Sequence, residues 1–98
     1  ASTKPGTEGY APIEQLRGGR AFPASDIYSL GVTCIRLMTN AELDEIYNPL
    51  EGNWMWRPYL QQKGIDVSDR LSDILDKMMQ EYVQRRYQSA EEVLKDLS

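Results

Sequence analysis

The 98 residues, 41% of them hydrophobic, suffice for one small globular domain or one piece of a larger one, with much apolar surface left near solvent. Eleven basic against fifteen acidic residues give a net charge of -4, and only Arg85 and Arg86 are adjacent cations, so no polybasic patch exists and nucleic acid is not expected as a partner. With no histidine and the single cysteine Cys34, the inventory excludes a zinc site, a Ser-His-Asp or Cys-His nucleophile system and an internal disulfide, so no bound metal is expected.

A lone cysteine suits a reducing compartment, and the expected localisation is cytoplasmic. No apolar run approaches the roughly 18 residues that span a bilayer, and no signal peptide opens the chain. Cys34 lies in an apolar run and is expected to be a buried small hydrophobe rather than a reactive thiol.

Along the chain, residues 1–24 are predicted irregular, because Gly6, Gly9, Gly18 and Gly19 alternate with Pro5, Pro12 and Pro23. A helix is predicted from an N-cap at Ser25 to about Thr39, with Asp26 in its first turn and Asn40 as its stop. Ile27, Tyr28, Leu30, Val32, Cys34, Ile35, Leu37 and Met38 cover most of its circumference. A helix apolar nearly all round belongs in the middle of a larger structure, so neighbours beyond this chain are expected.

A short helix is predicted around Ala41 to Tyr47, ending at Asn48-Pro49. Trp54, Met55, Trp56, Pro58, Tyr59 and Leu60 form an aromatic-rich connector, serving either as a docking surface or, the reading we favour, as cover for a core. Ser68 caps an amphipathic helix whose apolar face is Leu71, Ile74, Leu75, Met78, Met79 and Tyr82. A last helix follows the capping box Ser89-Ala90-Glu91-Glu92, with Ala90, Val93, Leu94 and Leu97 on one face. The predicted fold class is mainly α, about four helices behind a long N-terminal loop, without strands.

Three segments in order carry a resemblance. Gly6-Thr7-Glu8-Gly9-Tyr10-Ala11-Pro12-Ile13-Glu14 is similar to the end of the activation segment of serine/threonine protein kinases. Ser25-Asp26-Ile27-Tyr28-Ser29-Leu30-Gly31-Val32 resembles the opening of the large central helix of the kinase C-lobe, and Arg86-Tyr87-Gln88-Ser89-Ala90-Glu91-Glu92-Val93-Leu94 resembles the close of that lobe. The bacterial branch of these eukaryotic-type kinases is the nearest in flavour. Two departures stand out: Ile13 is inserted between Pro12 and Glu14, and Tyr82-Val83 replaces the usual Asp-Pro before the last motif.

The resemblance implies that residues 1–98 are a C-terminal fragment of a kinase catalytic domain, 1–24 the end of the activation segment and 25–98 the helical subdomain. It further implies that Thr7, Glu8, Gly9 and Tyr10 bind substrate, with Thr7 reaching the catalytic-loop aspartate. Glu14 and Arg86 would form a largely buried ion pair, and Asp26 would cap backbone amides of the catalytic loop; without the flanking motif, a plain helix-start acid is the favoured reading of Asp26. Ser2 and Thr3 lie where activation-segment phosphosites cluster, though they could equally be a frayed, unmodified terminus.

The parent would transfer the γ-phosphate of ATP, with Mg, to serine or threonine of a protein. The Gly-rich loop, strand lysine, H-R-D loop and D-F-G that this chemistry needs are not in the sequence, so no catalytic residue is assigned and the chain alone is expected to be inactive and to bind no ATP. The expected partners are the remainder of the kinase domain, a protein substrate and, through the central helix, a second copy of the chain. A pseudokinase-type binding module and an unrelated all-α interaction domain stand as alternatives.

Overall fold

The computed structural model describes Tyr10, Pro12 and residues 22–98. Helix α1 runs over Pro23–Thr39, α2 over Leu43–Ile46, α3 over Trp56–Gln62, α4 over Asp69–Met78 and α5 over Ala90–Leu97, with a 3-10 turn at Val83–Arg85. Between α2 and α3, strands β1 (Tyr47–Asn48) and β2 (Asn53–Trp54) form a minimal antiparallel hairpin in which Tyr47 faces Trp54 and Asn48 faces Asn53. The mainly α class holds; the fifth helix and the hairpin go beyond the four helices expected.

Helix α1 begins two residues before the expected start. Pro23 occupies its first position, where a fixed φ and a missing N–H cost nothing. Ser25 is therefore not the N-cap but lies inside the first turn, fully buried, its Oγ accepting from the Phe22 amide at 3.2 Å. At the other end Asn40 adopts φ 53°, and its N–H donates to the Arg36 carbonyl at 2.9 Å, a left-handed stop that asparagine tolerates.

Ile27, Tyr28, Val32 and Ile35 of α1 pack with Trp56 and Leu60 of α3 and with Ile74, Leu75 and Met78 of α4 in one core, joined by Ala41, Ile46, Met79 and Tyr87. Gly31 marks the closest approach of α1 and α4. A Cβ there would stand 2.9 Å from Met79 Cγ and 3.1 Å from Met78 Cβ, so only glycine lets the two helices sit this close. The opposite side of α1 is bare: Leu30 is 56% and Leu37 76% exposed, and Cys34 is half-buried rather than fully enclosed.

Three other expectations need correction. The Trp54–Leu60 connector contains helix α3, which starts at Trp56 although Pro58 follows; a proline at the third helical position displaces no intrahelical hydrogen bond. Tyr82 does not extend the apolar face of α4 and is 58% exposed. That helix stops at Met78, and Arg86 captures the Gln80 and Glu81 carbonyls beyond it, at 2.6 and 2.9 Å. In α5 no residue is buried, so its apolar face is only partly covered, through Val93.

The two serine caps form as expected. Ser68 Oγ accepts from the Leu71 amide at 3.2 Å, and Ser89 Oγ from the Glu92 amide at 3.3 Å. The Glu92 carboxylate reaches back one residue further than a standard box, accepting from the Gln88 amide at 2.8 Å.

Candidate functional site

Three of the expected functional residues, Tyr10, Asp26 and Arg86, lie near the start of α1. Pro12 is fully buried, and Tyr10 packs half-buried against the core. Ser29, one turn into α1, donates its hydroxyl to the Tyr10 carbonyl at 2.7 Å and shares it with the Ser25 carbonyl at 3.2 Å. This bond joins residues nineteen apart in sequence and fixes Tyr10 against the helix. Asp26 is exposed in the same first turn, with its carboxylate at the positive end of the helix dipole.

Arg86 lies beneath this turn, 2% exposed. Its guanidinium donates to the carbonyls of Ala24 at 3.3 Å, Gln80 at 2.6 Å and Glu81 at 2.9 Å, and stacks 4.9 Å from the Tyr28 ring centroid. A planar fork of five donors suits this place, because it collects carbonyls from the start of α1 and the end of α4 at once. The arginine is thus a pin between two helices far apart in sequence.

Of the residues expected to act together, Arg86, Asp26 and Tyr10 come to the same end of α1. Thr7, Glu8, Gly9 and Glu14, like Ser2 and Thr3, lie outside the described residues, and with them the expected Glu14–Arg86 ion pair. Among the described residues, no three His, Cys, Asp or Glu side chains converge to hold a metal ion. No step of phosphoryl transfer is assigned to them.

A second polar node was not anticipated from sequence. The Trp56 indole, on a residue only 1% exposed, donates Nε1–H to Asp76 Oδ1 at 2.7 Å. Asp76 Oδ2 takes Arg57 Nη2 at 2.9 Å, and the same nitrogen reaches Asp73 Oδ1 at 2.9 Å. This network clamps α3 onto α4. Its one legible signal was the three-residue spacing of Asp73 and Asp76, which puts both carboxylates on one helix face.

Near the hairpin, Tyr47 and Trp54 stack at 4.7 Å between centroids, tilted by 55°. Burial pushes the Tyr28 phenol above its ordinary value, a hydrogen bond with Trp54 and the Arg86 charge oppose this, and the Glu81 charge adds to it. Burial and the Glu81 charge likewise raise Tyr47. At the α4–α5 contact Tyr87 donates to Asp96 Oδ2 at 2.7 Å, with Lys77 Nζ 4.4 Å from its ring centroid. Burial first, and the hydrogen bond to Asp96 second, push this phenol up to about 12.

A helical layer pinned by a buried arginine, with Tyr10 held against its central helix, fits the helical subdomain of a protein kinase C-lobe. Its known relatives say the same. Serine/threonine-protein kinase F of Synechocystis sp. is 40% identical over 86 residues, 88% of this chain and 17% of that protein. Serine/threonine-protein kinase B of the same organism is 40% identical over 90 residues, 91% of this chain and 15% of that protein. Serine/threonine-protein kinase PknA of Nostoc sp. is 34% identical over 93 residues, 94% of this chain and 16% of that protein.

The chain belongs to the serine/threonine protein kinases, as a C-terminal part of the catalytic domain. It spans 15–17% of the length of these three relatives. No family model matches the chain, and no solved structure matches it. Among the described residues, no helix is long and apolar enough to cross a membrane.

Proposed function

We propose that this chain is the substrate side of a kinase whose whole catalytic domain transfers the γ-phosphate of ATP, with Mg, to serine or threonine of a protein. Thr7, Glu8, Gly9 and Tyr10 form the loop that receives the substrate segment. Asp26 anchors the catalytic loop of the parent, Glu14 pairs with Arg86, and Ser2 or Thr3 carries an activating phosphate in the cytoplasm. The observation that supports this reading best is the 2.7 Å bond from Ser29 to the Tyr10 carbonyl, which ties Tyr10 to α1 one turn after Asp26.

The bare side of α1, with Leu30 and Leu37, is the surface for the rest of the catalytic domain. In the isolated chain the same side drives self-association, so light scattering should show a mass rising with concentration; a monodisperse monomer throughout would refute this.

The test of function compares the pure chain with its full-length parent in a phosphate-transfer assay on a generic protein substrate. The parent should be active and the chain alone inactive, and Asp26→Asn in the parent should lower kcat by about tenfold or more. Transfer by the chain alone would overturn the assignment of catalysis to the rest of the domain. An inactive parent would favour the pseudokinase-type module.

A further inference from the structure

Tyr10 and Pro12 are held against the helices in different ways. Pro12 is fully buried and has no N–H that needs a partner. Tyr10 packs half-buried against the core, and its carbonyl accepts the Ser29 hydroxyl at 2.7 Å, the length of a well-formed O–H···O bond.

The Ser29 hydroxyl has one proton and two acceptors in reach. The second is the Ser25 carbonyl, one turn back in α1, at 3.2 Å. When Tyr10 moves off, the proton turns to Ser25, so no donor is stranded and the bond opens at small cost. Thr33, one turn further on, bonds within the helix instead, donating to the Ser29 carbonyl at 2.8 Å. Ser29 is thus built as a two-position latch on Tyr10.

We propose that Ser29 is a positioning residue for substrate binding: its hydroxyl holds Tyr10 in the receiving position and so sets the fraction of molecules ready for a protein substrate. This rests on the assignment of Tyr10 to the substrate loop. One neutral hydrogen bond with a fallback acceptor shifts that fraction about three- to fivefold, and the apparent affinity for substrate changes with it. The affinity for ATP, which the rest of the parent binds, is untouched.

Two measurements test this. In the 98-residue chain carrying carbonyl-labelled tyrosine, the Tyr10 signal is assigned by NMR with Tyr10→Phe. Ser29→Ala should shift that signal. Ser29→Thr, which keeps the hydroxyl, and Thr33→Ala, which removes a bond internal to the helix, should leave it in place. Alanine favours helix, so α1 keeps its form in these variants.

In the full-length parent, Ser29→Ala should raise KM for the protein substrate about three- to fivefold, with kcat and KM for ATP unchanged, and Ser29→Thr should restore it. An unmoved Tyr10 signal in Ser29→Ala, a fall in kcat at constant KM, or no rescue by threonine would each overturn the proposal. A shifted Tyr10 signal with unchanged kinetics would overturn the positioning role and leave the kinase reading standing. A parent inactive with Ser29 intact would overturn the kinase reading and the positioning role with it.

Discussion

Removal of the Asp76 carboxylate tests the clamp between α3 and α4 most directly. In Asp76→Ala the Trp56 indole N–H, buried with its residue at 1% exposure, loses its acceptor at 2.7 Å. Stranding a buried donor costs about 1–3 kcal/mol. The lost pair with Arg57 adds little, because its side chains are 37% and 40% exposed, and such pairs contribute about 0–1 kcal/mol. Against this, alanine is the better helix former, and removing a negative charge from the last turns of α4 relieves a dipole repulsion, together about 0.5–1 kcal/mol.

The expected net destabilisation is about 2 kcal/mol, measured by urea unfolding followed by far-UV circular dichroism. Two companions separate the contributions. Asp76→Asn keeps an acceptor for Trp56 and should cost about half as much, while Asp73→Ala, which removes only an exposed partner of Arg57, should stay within about 0.5 kcal/mol of the parent chain. An Asp76→Ala chain as stable as the original, or an Asp73→Ala chain equally weakened, would refute the clamp.

Other sites give equally definite outcomes. Arg86→Ala should destabilise by about 3 kcal/mol, and Arg86→Lys should recover only part of that, because an ammonium cannot serve the Ala24, Gln80 and Glu81 carbonyls together; thermal melting distinguishes them. Gly31→Ala gains about 1 kcal/mol of helix propensity but forces Met79 and Met78 aside, so a net loss of about 1 kcal/mol is expected in urea, deepening in Gly31→Val.

Tyr87 titrates at about 12 in the folded chain against about 10 when unfolded, so its contribution is complete below pH 10 and fades as pH rises toward 12. Tyr87→Phe should therefore be less stable than the original at neutral pH by about 1 kcal/mol, with the gap closing in alkali; a gap constant to pH 12 would refute the assignment.

Much of the helical plan was legible because local rules acted without competition. Ser68 and Ser89 stand before periodic apolar runs, and both cap as their spacing demands. Asn40 ends α1 because a left-handed residue was needed where the apolar pattern ran out. The motif residues Asp26 and Arg86 were picked out differently, through the segments that resemble the kinase C-lobe.

Other features depend on partners distant in sequence. Helix α3 hides in an aromatic stretch because Trp56 gains its hydrogen bond from Asp76, twenty residues later. Helix α4 stops at Met78, short of Tyr82, and Arg86 holds the Gln80 and Glu81 carbonyls of the chain beyond it, a contact that no periodicity reveals. The hairpin arises from two short segments too brief for alternation to register, joined through the Tyr47–Trp54 ring pair.

What the sequence determined by itself was the main helices and an apolar excess on α1, written in short-range spacing, and the kinase relationship, carried by three motifs in order. Only the tertiary structure decided which side of α1 is covered and that Arg86 is the pin between its start and the end of α4. Each of these depends on which distant groups share a small volume, and burial, hydrogen bonding and charge are settled there.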